Sequence, residues 1–150
     1  FKMDEAGLRG RLKRSKLVLG PIKETAATFF AEHKPAPIGC LFHDMDFYSS
    51  TRDAFQLLEG APEFFLPRVF NYFDDTIGSE VELYNDFTGQ RLAINEFNEK
   101  HAKKKFSRSY HLKRHMRQPV WHEQLFVLHD FAHPRYDAFV SDENQQLPLR

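Results

Sequence analysis

An α/β domain, built on a sheet with parallel central strands, is what the sequence predicts, and three observations predict it. Short apolar runs alternate with stretches of helical spacing, in the order strand, helix, strand, helix. Two of the apolar runs stop on aspartates, Asp44 and Asp46 after the first and Asp74 and Asp75 after the second, where ligands bind in sheets of this kind. Sixteen phenylalanines are spread over the 150 residues, enough large apolar surface for one continuous core and a single domain spanning 1–150.

Each element follows from local chemistry. Residues 1–16 carry Arg9, Arg11, Lys13, Arg14 and Lys16 among few apolar positions, which reads as a solvated helix or connector. Leu17–Leu19 is a short apolar run stopped by Gly20 and Pro21, the punctuation of a strand end. Ile22, Ala26, Phe29, Phe30 and His33 recur at helical spacing, and the Pro35 to Pro37 stretch ends that helix. Ile38–Phe42 is too short and too apolar for a helix and predicts a strand buried on both faces, with Cys40 an inert buried thiol. Ser50 and Asp53 form a capping-box-like start for a helix through Ala54, Phe55, Leu57 and Leu58, with Gly60 as its stop. Pro67 divides the next apolar stretch into an approach loop and a strand over Val69–Phe73. Thr88 caps a helix carrying Leu92, Ala93 and Phe97. Alternation around Phe106–Leu112 and Gln124–His129 predicts two further strands, Trp121 reads as core, and the polar tail from Ser141 reads as frayed.

Composition narrows the function classes. Twenty-one basic residues balance twenty-one acidic ones, which removes the overall attraction that favours a nucleic-acid partner. The stretch Lys100–Arg117 holds eight Lys/Arg, three histidines and no acid, and reads first as a solvated face. No apolar run approaches the roughly 20 residues that span a bilayer, and the N-terminus lacks a signal-peptide core, so a cytoplasmic protein with no membrane partner is expected. One cysteine allows no internal disulfide and no cysteine-ligated cluster, so a metal would sit on oxygen or imidazole. His129 and His133 are four apart, but Pro134 and the strand pattern of LFVLH oppose a helical zinc pair.

The aspartates are where chemistry is expected. Carboxylates that converge at neighbouring strand ends raise one another's pKa, and a hard divalent cation such as Mg²⁺ relieves that repulsion with oxygen ligands. The alternative reading has Asp44, Asp46 and Asp75 capping the helices that follow.

The stretch PIGCLFHDMDFYSSTRDAF (37–55), followed by FNYFDD (70–75), resembles the metal-dependent class I S-adenosylmethionine methyltransferases, most closely the macrocin O-methyltransferase (TylF-type) group. Gly20, Glu24 and Thr25 match the family's glycine followed by Glu/Asp-Thr, and Arg91, Ala93, Ile94 and Phe97 match the helix after its acidic pair. The resemblance covers residues 17–100. It implies a Rossmann-like sheet of order 3-2-1-4-5-7-6, of which this chain is the C-terminal part, lacking the first two strands and the glycine-rich cofactor loop. Leu66-Pro67 stands where the family often has paired glycines.

Carried over position by position, the resemblance implies Asp44 as metal ligand and catalytic base, and Asp74 and Asp75 as the other metal ligands, with Asp46 outside the direct coordination. Gly20 and Asp44 are its cofactor-binding positions. The implied cofactors are S-adenosylmethionine and Mg²⁺, and the implied reaction is direct methyl transfer to a hydroxyl of a sugar or small natural product. A D-x-D metal-dependent glycosyltransferase is the alternative enzyme. A non-catalytic partner subunit, pairing through an exposed sheet edge with a missing N-terminal half or as a homo-oligomer, is the non-enzymatic alternative.

Overall fold

A computed structural model describes residues 3–78, 84–112 and 120–138. Among these residues it is an α/β structure in which four α-helices accompany one four-stranded mixed open sheet. The helices are α1 (Glu5–Arg11), α2 (Ile22–His33), α3 (Tyr48–Ala54) and α4 (Gly89–Lys100). The strands are β1 (Ile38–His43), β2 (Phe65–Phe73), β3 (Lys104–Arg108) and β4 (Leu125–Asp130). Their order across the sheet is β1-β2-β4-β3. Among the described strands only β1 and β2 run parallel; β4 is antiparallel to both of its neighbours, so the central pair β2–β4 is antiparallel where the sequence predicts parallel central strands. No helix among the described residues is long and apolar enough to cross a membrane.

The core lies on one face of this sheet. Phe65, Val69 and Phe73 of β2, Phe106 of β3, and Phe126 and Leu128 of β4 point to the same side. They meet Ala93, Ile94 and Phe97 of α4 and Phe55 and Leu58 from the turn of 3-10 helix that continues α3. Phe73 is central: its ring packs edge-on against Phe55, Phe106 and Phe126, with centroids 5.4–6.1 Å away, and is stacked on His43 at 4.3 Å. Tyr48 of α3 donates to Glu96 of α4 at 2.6 Å and ties the helical layer together.

Among the described residues the opposite face is largely open. Cys40, Phe42, Leu66 and Phe70 are exposed there, with Tyr72, Leu125 and Val127 half-buried beside them. Cys40, Phe70 and Val127 lie in one cross-strand row, and Phe42, Tyr72 and Leu125 in the next. Among the described residues one corner of this face carries a cover, where residues 131–138 fold back and the Arg68 guanidinium lies 4.0 Å from the Tyr136 ring centroid.

Several expectations change. Leu17–Leu19 forms no strand; three residues before a Gly-Pro stop are too few to build a ladder, and Val18 lies instead against the α2–β1 groove. Among the described residues β1 is covered on one face only, so Cys40 is an exposed thiol. Ser50 and Asp53 lie inside α3, which begins at Tyr48 without a side-chain cap, so no capping box forms. Pro67 lies within β2, where it is accommodated by a register jump: Ile38 pairs with Phe65 but Cys40 with Phe70, so the Leu66–Val69 stretch bulges and needs no N–H from the proline. Trp121 is 40% exposed. The tail from Ser141 lies outside the described residues.

The strand expected over Phe106–Leu112 is instead β3 at Lys104–Arg108, and Thr88 takes the N-cap position of α4 without a side-chain cap bond. Asp4 accepts from the Gly7 N–H at 2.9 Å and caps the solvent-exposed α1. α2 ends at Lys34, which takes the left-handed conformation at φ 44° while its N–H bonds to the Phe30 carbonyl.

Candidate functional site

Because β1 and β2 are parallel neighbours, with His43 opposite Phe73, the segments leaving their carboxyl ends emerge side by side. The β1 end carries Asp44 and Asp46. The β2 end passes into a single 3-10 turn, Asp74–Thr76, in which Asp75 sits at φ −97°, ψ 34°. One carboxylate oxygen from each of Asp44, Asp46 and Asp75 lies within 4.8 Å of the others. Neither α3 nor α4 has a side-chain cap, so none of these carboxylates serves as the cap of a following helix.

Asp75 is the least exposed of the three, and its Oδ2 is buried with no hydrogen-bond partner among the described residues. Burial pushes its carboxyl above the ordinary aspartate value, and the neighbouring charges of Asp46, Asp74 and Asp44 push it further. Asp74 faces elsewhere. Its Oδ1 accepts from the Tyr72 hydroxyl at 2.8 Å, and its carbonyl accepts from Gln124 Nε2 at 2.6 Å. Tyr72 is itself shifted above the usual phenol value, first by that bond to Asp74.

A buried polar floor supports the cluster. His43 Nε2 and Asn71 Oδ1 are 2.9 Å apart, and Asn71 Nδ2 donates to the Val69 carbonyl at 2.8 Å, so the Asn71 oxygen is free to accept from His43 and Nε2 carries the proton. Burial lowers the His43 pKa to about 4, and the imidazole is neutral at physiological pH. Beside it, Gln90 is fully buried and bonded to both acid-bearing segments.

Two hollows flank the acids. A polar one of about 340 Å³ is lined by Asp46, Asp75, Thr88, Gly89 and Arg91. An apolar one of about 430 Å³ runs from Asp44 between α2 and the end of β1, past Val18, Ile22, Phe29 and Leu57. Gly20, at φ +146°, turns the chain into α2; Val18 and Ile22 on either side of it line the apolar hollow, and Gly20 itself does not.

Of the sequence-derived candidates, Asp44 and Asp75 come together, Asp46 joins them, and Asp74 and Gly20 stand apart from the three-oxygen group. The basic stretch is largely tied into the fold where it is described: Lys100 pairs with Glu59 at 3.1 Å, Lys104 donates to the Leu58 carbonyl at 2.7 Å, and Arg108 pairs with Glu123. Residues 113–117 of that stretch lie outside the described residues. His129 bonds to the Tyr136 hydroxyl at 2.8 Å. Gln90 was missed by sequence reasoning, although a signal was present. It lies on the α4 stripe formed with Ala93, Ile94 and Phe97, an amide where the pattern calls for an apolar residue.

Comparison with known proteins gives no guide to this arrangement: no family model matches the chain, and neither does any curated protein or solved structure.

Proposed function

We propose that the chain is the second half of a metal-dependent class I S-adenosylmethionine O-methyltransferase of the TylF type, acting on a hydroxyl of a sugar or small natural product. The observation that carries this reading is the meeting of Asp44, Asp46 and Asp75 at the carboxyl ends of two adjacent parallel strands, where Asp75 Oδ2 is buried with no hydrogen-bond partner among the described residues. The strand order supports it too. β1-β2-β4-β3, with the last two strands exchanged relative to chain order, has the form 4-5-7-6.

Among the described residues the donor set fits a hard divalent cation such as Mg²⁺: three carboxylates with no nitrogen or sulfur, one of them a carboxyl whose charge is disfavoured first by burial and then by its acidic neighbours. Asp44, Asp46 and Asp75 would hold it, with Asp74 kept aside by Tyr72 and Gln124. When bound, such a cation acts as a Lewis acid that lowers the pKa of an acceptor hydroxyl. Asp44 belongs to both the cluster and the lining of the apolar hollow, and there it would accept the proton of an acceptor hydroxyl; S-adenosylmethionine, when bound, would supply the methyl group from its sulfonium, which leaves as a neutral thioether. The resemblance would give Gly20 and Asp44 to S-adenosylmethionine, but Gly20, at φ +146°, lies outside the hollow that Asp44 lines.

The test is radiolabelled methyl transfer by the full-length protein to a panel of hydroxyl-bearing sugars and natural products, with Mg²⁺ or with a chelator. Transfer is expected with Mg²⁺ and at least about tenfold less after chelation or in Asp75→Asn, the loss typical of disturbing a metal site. Transfer that ignores both the chelator and the substitution overturns the proposal.

A further inference from the structure

We infer that Gln90 is the positioning residue of the acidic site, clamping the backbone on both sides of Asp44 to the backbone of Asp75. The inference rests on reading the three carboxylates as a cation site, and it adds what holds them in register.

The geometry is specific. Gln90 Nε2 donates to the His43 carbonyl at 3.2 Å and to the Met45 carbonyl at 3.3 Å, so both of its hydrogens are used on the residues flanking Asp44. Its Oε1 accepts from the Asp75 N–H at 3.0 Å. The amide has one sensible orientation, because reversing it would face an NH₂ toward the Asp75 N–H and an oxygen toward two carbonyls. The side chain is 0% exposed, and its bond to the His43 carbonyl is buried, while those to the half-buried Met45 and Asp75 are part-buried. Losing the bond to His43 would strand that carbonyl in the interior at a desolvation cost.

Position explains why this residue has the task. Gln90 occupies the second residue of α4, and the rest of its stripe, Ala93, Ile94 and Phe97, is locked into the core. The amide is therefore held by the helix and cannot follow the loops. Carboxylates gathered within 4.8 Å repel, and without a fixed link the two loops would relax apart. A group that fixes ligand-bearing backbone from behind the ligands is what a preformed site requires.

Two substitutions and two readouts test the inference. Gln90→Met keeps the length and removes all three bonds. Gln90→Glu keeps an acceptor for Asp75 but can no longer donate to His43 and Met45. Amide hydrogen exchange reads the clamp directly: Gln90→Met is expected to speed exchange at Asp75, and Gln90→Glu to leave that amide protected. Mn²⁺ binding, measured by electron paramagnetic resonance, reads the consequence. Both variants are expected to bind Mn²⁺ about ten- to a hundredfold more weakly than wild type, the usual range for residues that orient metal ligands. Ile94→Val, a core change on the same stripe, sets the effect of mere loss of stability and is expected to leave Mn²⁺ affinity unchanged.

An unchanged Asp75 exchange rate in Gln90→Met, or Mn²⁺ affinity no weaker than in Ile94→Val, overturns the inference while the cation site stands. Wild-type protein that binds no Mn²⁺ overturns both.

Discussion

The two faces of the sheet are made from the same strands and meet opposite fates. On the covered face β2 presents Val69 and Phe73, which are 1% and 0% exposed; one residue along, its other side presents Phe70 at 54%. In β1 the contrast is sharper, with His43 buried and Phe42 at 78%. Strand periodicity places residues on faces, and the helices then decide which face becomes interior. Aromatic content therefore says little about where a residue's free energy goes: Phe70 and Phe73 are three positions apart and belong to different environments.

The largest test of this contrast is a pair of truncations. Phe73→Ala is expected to cost about 3–5 kcal/mol in urea unfolding, because four rings lose their common partner and the helices cannot collapse into the gap. Phe70→Ala is expected to change stability by about 0.5 kcal/mol or less. Equal losses would mean that the open face is covered in solution.

A smaller effect separates the faces by pH. His43 titrates at about 4 when folded and near 6.5 when unfolded, so below 6.5 the unfolded chain takes up a proton that the native one refuses. Its neutral form therefore contributes nothing adverse above pH 6.5, and stability falls as the pH drops from there toward 4, by up to about 3 kcal/mol. Urea midpoints in metal-free buffer at pH 7 and 4.5 should show this loss in wild type and a smaller one in His43→Gln. Identical pH dependence in the two proteins would remove His43 from the account.

The smallest effect concerns association. Phe42→Ser is expected to leave the unfolding midpoint within about 0.5 kcal/mol of wild type. In sedimentation velocity it should reduce any concentration-dependent association, since an uncharged strand edge beside exposed rings is a ready surface for pairing. A variant that associates as strongly as wild type would place the sticky surface elsewhere.

Much of this was legible in the sequence, for reasons that are local. β1, α2 and α4 follow from apolar spacing and from their stops, and the acids announce the carboxyl ends of β1 and β2. What was not legible depends on partners. Leu17–Leu19 is strand-like in composition but pairs with no strand among the described residues. Ser50 and Asp53 resemble a cap, yet Tyr48 starts the helix before them. Cys40 sits in an apolar run, and only the one-sided layering of the helices leaves it outside. At the site, Asp74 and Asp75 are adjacent, but the tight turn after β2 sends one carboxylate toward Tyr72 and the other toward Asp44 and Asp46. No spacing rule distinguishes them.

The acidic cluster also has a thermodynamic signature. Asp44 and Asp75 are far apart along the chain and meet only because β1 and β2 lie side by side, so a melted chain retains no such site. Anything that ligates the cluster must by linkage favour the native state, raising the melting temperature with each increment of free ligand above its dissociation constant. Thermal scans across a cation titration would thus report occupancy of the cluster and integrity of the sheet in one measurement.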